Sequence, residues 1–234
     1  MESMKNQYKI IFFCLISGLI IACEDENNIQ FPASLKVVHA AENAPALHVN
    51  YFGREIIFSD NPMLSFGGSM RTSLPSDIER TIFFVSAEDT LNQVHQQSVT
   101  FQPGDIHTLF LTGDEENIEG TLVRDEPLVL MDSLVGIRFV NLSPDSGPVS
   151  VGLTGQTELI SSDLAFKASS DFNQLTADNA TGVYTFEFKD ADGEVLINTT
   201  IDPVSNGFVF KNTTFVLMGN RADATLIIRR IDSF

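Results

Sequence analysis

Cysteine is almost absent from this chain. Its 234 residues include only Cys14 and Cys23, so no disulfide framework of the kind that staples small exported domains can form. Tryptophan is missing and tyrosine occurs three times, which leaves few of the flat amphipathic rings on which ligands stack. Positive charge is scarce as well: 14 Lys and Arg stand against 31 Asp and Glu, a formal net charge of −17. That excess repels phosphate backbones and makes nucleic acid a poor partner.

Catalytic and cofactor signatures are missing too. There is no H-E-x-x-H, no P-loop and no G-x-G-x-x-G. Phe66-Gly67-Gly68-Ser69 lacks the spacing of a nucleophile elbow and reads as a flexible bend. The four histidines, His39, His48, His95 and His107, have no cysteine beside them to complete a zinc site. Asp190-Ala191-Asp192-Gly193-Glu194 is too short for a calcium loop and reads as a hairpin turn. We therefore expect no catalytic residues, no metal and no cofactor.

What is present begins with an export pattern. Lys5 and Lys9 precede an apolar run from Ile10 to Ile21, which is too short for a membrane span. It ends in Leu19-Ile20-Ile21-Ala22-Cys23. Aliphatic residues, a small residue and then cysteine resemble the bacterial lipobox. That resemblance implies cleavage after residue 22 and acylation of Cys23. Each buried methylene contributes about 0.8 kcal/mol, so two or three chains hold a protein on a bilayer without a spanning helix. Glu24-Asp25-Glu26 follows directly, similar to the surface-export signal of Bacteroidetes lipoproteins, which implies outward display from an outer membrane. Without residues 1–22, which carry Lys5, Lys9 and Glu2, the chain keeps 12 basic and 30 acidic residues, a net of −18.

The rest of the chain repeats itself. Leu35 to Val49 aligns without gaps on Ile137 to Val151, a shift of 102, with Lys36 on Arg138, Val38 on Val140 and His39 on Asn141. His107 to Gly113 aligns on Thr213 to Gly219 at a shift of 106, and Thr121-Leu122-Val123-Arg124 on Thr225-Leu226-Ile227-Ile228 at 104. Duplication of one domain explains these offsets, with loops absorbing the small insertions.

Each copy reads as all-β. Leu47 to Tyr51 and Tyr184 to Lys189 alternate apolar and polar residues, as half-buried strands do. Phe83-Phe84-Val85 and Leu226-Ile227-Ile228 are continuous apolar runs suited to deeper burial. Pro, Gly and Asp punctuate between them. A short helical turn fits only between Asp163 and Phe172. About seven strands per hundred residues is the immunoglobulin-like pattern. The organisation expected is a signal at 1–22, a tether at 23–33, a first β-sandwich at 34–126, a linker at 127–135 and a second at 136–234, with Leu128-Val129-Leu130 packing on one of them.

The opening of the second copy, Arg138-Phe139-Val140-Asn141-Leu142-Ser143-Pro144-Asp145 with Pro148-Val149-Ser150-Val151 and Gly155, resembles the secreted bacterial domain-of-unknown-function family 4397. The first copy departs further, with His39 in place of Asn and Ala41-Glu42-Asn43 in place of Ser-Pro-Asp. The resemblance implies tandem β-sandwiches in an exported protein and carries over no catalytic residue.

The sequence thus points to a non-enzymatic surface lipoprotein acting as a structural or interaction module. Its partners are the bilayer, through Cys23, and a surface protein or a glycan. The alternative is a glycan-binding accessory of polysaccharide uptake, for which Tyr51 and Phe52 are the candidate contacts, since strand alternation points Phe52 outward. Asp89-Thr90-Leu91 and Asp132-Ser133-Leu134 resemble O-glycosylation acceptors of exported Bacteroidetes proteins, which implies Thr90 and Ser133 as attachment points.

Overall fold

The computed structural model describes residues 31–53 and 62–232. The basic and apolar leader, Cys23 and the acidic residues after it lie outside the described residues.

All regular structure among the described residues is β. The first half contributes β1 (Ala33–His39), β2 (Leu47–Asn50), β3 (Ser69–Leu74), β4 (Arg80–Ser86), β5 (Gln93–Val99), β6 (Ile106–Gly113) and β7 (Ile118–Arg124). The second contributes β8 (Leu134–Asn141), β9 (Val149–Leu153), β10 (Leu159–Leu164), β11 (Asn173–Thr176), β12 (Tyr184–Lys189), β13 (Val195–Ile201), β14 (Asn212–Met218) and β15 (Ile227–Asp232). They form four sheets: β3-β1-β6-β7 and β2-β4-β5, then β11-β8-β14-β15 and β10-β9-β12-β13.

The duplication extends to hydrogen-bond register. β1 runs parallel to β6 with Val38 opposite Phe110, and β8 runs parallel to β14 with Val140 opposite Val216. An isolated bridge between Leu47 and Leu64 in the first half matches the Val149–Leu164 pairing in the second. The last strand differs from the sequence alignment. Phe110 pairs with Thr121, and its counterpart Val216 pairs with Arg229. The true shift there is 108 rather than 104, because the β14–β15 connection is two residues longer between equivalent pairs than the β6–β7 connection. Both hairpins open on a glycine the alignment did find. A Cβ on Gly113, at φ +102, would lie 2.0 Å from the Asn117 carbonyl oxygen, and one on Gly219, at φ +86, 2.4 Å from that of Thr225.

Each half closes two sheets on its own core. In the first, Leu35, Val37, Leu109 and Leu111 face Val49, Ile82 and Phe84. In the second, Phe139 meets Phe186, Phe188 and Phe215 with ring centroids 5.3, 5.6 and 6.1 Å apart. Full burial of each such side chain contributes about 1.5–3 kcal/mol.

Strand alternation sends the other faces of β1, β6, β8 and β14 somewhere too. Val38, Ala40 and Phe110 of the first half join Val140, Leu142, Val216, Met218 and Ile231 of the second in a third core. These sheets are therefore covered on both faces, which is why Val37-Val38 and Phe139-Val140 are apolar without a break. Phe110 belongs to this shared core rather than to the interior of its own half.

No helix forms between Asp163 and Phe172. Asp163, inside β10, has φ +52 and Lys167 adopts φ +67, and left-handed residues interrupt a right-handed helical turn. The linker is held at one end. Asn212 accepts the Leu128 N–H at 3.1 Å and returns its amide to the Leu128 carbonyl at 3.0 Å. Gly136 makes room for that clamp, since a Cβ there would sit 2.2 Å from Asn212 Oδ1. Leu128 and Leu130 are half-buried, while Val129 is 88% exposed.

Candidate functional site

The seam between the halves buries a cluster of polar and charged side chains. Arg138 on β8 is 3% exposed. Its Nη1 reaches Asp125 Oδ1 at 2.6 Å, its Nε donates to Thr214 Oγ1 at 3.2 Å, and its guanidinium lies 4.6 Å from the Phe172 ring centroid. Asp125, just past β7, also accepts the Thr108 hydroxyl at 2.6 Å. A first-half carboxylate and a second-half guanidinium thus neutralise each other in the interior. Breaking such a pair by removing one partner costs about 3–5 kcal/mol.

Lys36, the counterpart of Arg138, is equally buried at 4% exposure. Its Nζ donates to the Asp232 carbonyl across the seam. Burial pulls its pKa down from 10.5 to about 8, with the Arg71 charge adding to the effect and Asp125 opposing it.

The opening motif of each copy turns out to be a loop staple. Asn141 is buried, and its two Nδ2 protons are shared among Ser146 Oγ, the Gly147 carbonyl and the Leu164 carbonyl at 3.1, 3.0 and 3.0 Å. Its Oδ1 accepts the Ser143 N–H at 3.0 Å. Asp145 then accepts the N–H groups of Arg221 and Ala222 at 2.6 and 2.8 Å, pinning this loop to the β14–β15 turn. Burial works to raise the Asp145 pKa, but these donated bonds outweigh it and hold it below the usual range. In the first copy His39 donates from Nε2 to the Pro45 carbonyl at 3.0 Å, the position equivalent to Gly147. Its Nδ1 is buried without a partner, and burial lowers its pKa.

Asp190 is spent in the same way. It accepts the N–H groups of Asp192 and Glu194 and pairs with Arg221 at 2.9 Å. His95 and His107 lie against Phe84 and Phe101 with centroids 5.6 and 4.7 Å apart, far from any shared centre with His39. Among the described residues, no three His, Cys, Asp or Glu side chains converge as metal ligands.

At one end of the seam lies a cleft of about 320 Å³. Ala40 and Leu142 form its apolar floor, and Glu42, Asp114, Glu119 and Phe166 stand around it. Lys167 bonds Glu119 while its Nζ sits 5.0 Å from the Phe166 centroid. Toward the opposite ends of the same strands, a more open hollow of about 410 Å³ is bordered by Arg138, Phe172, Leu128 and Glu126.

The residues singled out from sequence do not gather at this cleft. Tyr51 packs against the first core with its hydroxyl buried, and burial pushes its pKa up to about 12. Phe52 is 48% exposed, with the Arg80 guanidinium 5.5 Å above its ring. The two rings thus lie in different environments and make no joint platform. Thr90 is half-buried in the β4–β5 loop, and Ser133, at φ +30, stands at the entrance to β8. Cys23 lies outside the described residues. Sequence reasoning missed the cleft because its walls come from five loops and the ends of two strands. Only the doubled apolar pairs in β1 and β8 hinted that these faces were covered.

No curated protein matches the chain. Among solved structures, an inferred cell adhesion protein from Bacteroides uniformis is 8% identical, with a TM-score of 0.28, covering 86% of this chain and 98% of its own. An inferred adhesin from Bacteroides ovatus is 10% identical, with a TM-score of 0.21 over 84% of this chain and 91% of that one. Likeness at that level carries no functional weight. The family model described as "Domain of unknown function (DUF4397)" matches residues 33–152, spanning the first copy and the opening motif of the second, and the chain belongs to that family.

Proposed function

We propose that this protein is a non-catalytic interaction module, held on the outer face of a bacterial outer membrane by a lipid on Cys23. Its two tandem immunoglobulin-like sandwiches act as one stiff unit. The observation that carries this reading is the shared third core with its buried Arg138–Asp125 pair. A jointed pair of domains would keep its interface small and polar. Here apolar side chains and a neutralised charge pair fuse the halves, which suits a protein that presents end loops at a fixed distance from a membrane. The carboxylates with buried or turn positions serve structural hydrogen bonds, which supports a binding role over a hydrolytic one.

The test is cross-linking of the full chain in its native membrane, with Cys23→Ala as a comparison. The reading predicts that Cys23→Ala leaves the membrane fraction and that the anchored protein is recovered with a stoichiometric surface partner. Turnover of any substrate, abolished by one point substitution, would overturn it. A glycan-binding role is favoured by one feature, the Phe52 ring exposed beside Arg80. That reading predicts polysaccharide binding which Phe52→Ala removes. Modification at Thr90 or Ser133 would add mass that Thr90→Ala or Ser133→Ala deletes.

A further inference from the structure

The cleft at the end of the seam has the walls of a receptor for positive charge. Glu42 and Asp114 line it, and neither makes an ion pair among the described residues. Glu42 accepts the neutral Asn220 amide at 2.6 Å. Asp114 accepts the N–H groups of Glu116 and Asn117 at 3.1 and 3.0 Å. Lys167 is the one cation on the wall, and Glu119 and the Phe166 ring already engage it.

A second observation is independent of the acids. Thr112 lines the cleft at 2% exposure, and its hydroxyl is buried with no hydrogen-bond partner. Alternation along β6 places it on the same face as Phe110, toward the second half. Its counterpart Met218 fills the third core with apolar volume. A hydroxyl left without a partner costs about 1–3 kcal/mol, so the site carries a standing cost that an incoming donor would relieve.

We propose that this cleft receives a basic side chain of a partner polypeptide, its cationic head against Glu42 and Asp114 and its stem over Ala40, Leu142 and Phe166. The proposal rests on the reading of the protein as an interaction module. The volume lies at the small end of ligand pockets, about 300–1,000 Å³, which fits one side chain better than an extended oligomer. Arginine suits it best, because its planar fork of donors serves carboxylates and its flat face stacks on aromatic rings. The overall charge of −17 draws such a partner in. Lys167, lying between a ring and a carboxylate, is the chain's own example of the contact.

Titration of the protein with N-acetyl-arginine amide, followed by backbone amide resonances, tests this. Saturable shifts are expected at Thr112, Gly113, Glu119 and Phe166. Glu42→Gln and Asp114→Asn keep the oxygen that accepts the local bonds and should each weaken binding about tenfold, about 1.4 kcal/mol. Thr112→Val, which preserves volume, should weaken it a few-fold. The uncharged isostere N-acetyl-citrulline amide should leave the resonances unmoved. Equal binding of citrulline, shifts scattered over the acidic surface and insensitive to these substitutions, or an oligosaccharide filling the same residues would overturn the proposal. A cross-linked partner combined with an arginine-blind cleft would refute this site and leave the interaction module standing.

Discussion

Two positions in the opening motif, compared between the copies, show how duplicated strands diverge without losing register. Arg138 and Lys36 occupy equivalent places on β8 and β1, both buried in the seam. Arg138 has an ion pair, a hydroxyl and an aromatic ring around it, whereas Lys36 donates to the Asp232 carbonyl and has its pKa drawn down to about 8 by burial. Asn141 and His39 stand three residues further on. Asn141 ties its loop from both ends of its amide, its two Nδ2 protons shared among three acceptors and its Oδ1 accepting an N–H, while His39 repeats a single one of these contacts and leaves Nδ1 orphaned. At these two positions the second copy surrounds its buried polar groups with several partners, while the first leaves His39 Nδ1 without one and holds Lys36 where burial disfavours its charge. Buried polar groups stabilise only when their partners are complete.

The largest effect should come from Arg138→Met. It strands Asp125 in the interior and should cost about 3–5 kcal/mol in urea unfolding. Asn141→Ala comes next, at about 3 kcal/mol, because it leaves two carbonyls and an N–H short of partners. Proteolysis of the Ser143–Gly147 loop should rise with it.

Lys36→Met should behave oppositely. The folded pKa is depressed, so between about 8 and 10.5 the unfolded chain holds a proton that the folded chain has released. Stability from this group therefore rises with pH across that window, and below it the buried charge is a standing cost. Met should raise stability at pH 7 by about 1–2 kcal/mol and flatten the alkaline rise. A loss of stability at pH 7 would place Lys36 with Arg138 and erase the contrast.

His39→Asn should give the smallest change, within about 1 kcal/mol above pH 7. Its distinctive effect is on acid sensitivity. The folded pKa lies below the ordinary 6.5, so the group contributes stability that is present above 6.5 and lost as pH falls below it. Asn, already used at the matching place in the second copy, should abolish that loss. The readout is the unfolding midpoint between pH 7.5 and 5.

Much of this was legible in the sequence, and the reasons differ by element. The all-β class followed from period-two runs such as Tyr184 to Lys189, which is β12. The duplication was readable because core positions such as Val38 and Val140 must stay apolar. The register of β15 was not, since Thr225-Leu226-Ile227-Ile228 resembles β7 while a connection two residues longer carries the pairing four residues past that alignment. The Asn of the motif gave no sign of its role, because Gly147 and Leu164 approach it only through the fold. The cleft was out of reach for the same reason: Thr112 and Asp114 come from one half, Phe166 and Lys167 from the other.

The claim on which the rest depends is that the third core and the Arg138–Asp125 pair fuse the two halves. Scanning calorimetry of the protein is the direct test. One transition, with calorimetric and van 't Hoff enthalpies equal, is predicted, and Arg138→Met should split it into two. Two separate transitions in the unaltered protein would contradict the account, because the halves would then be folding without each other.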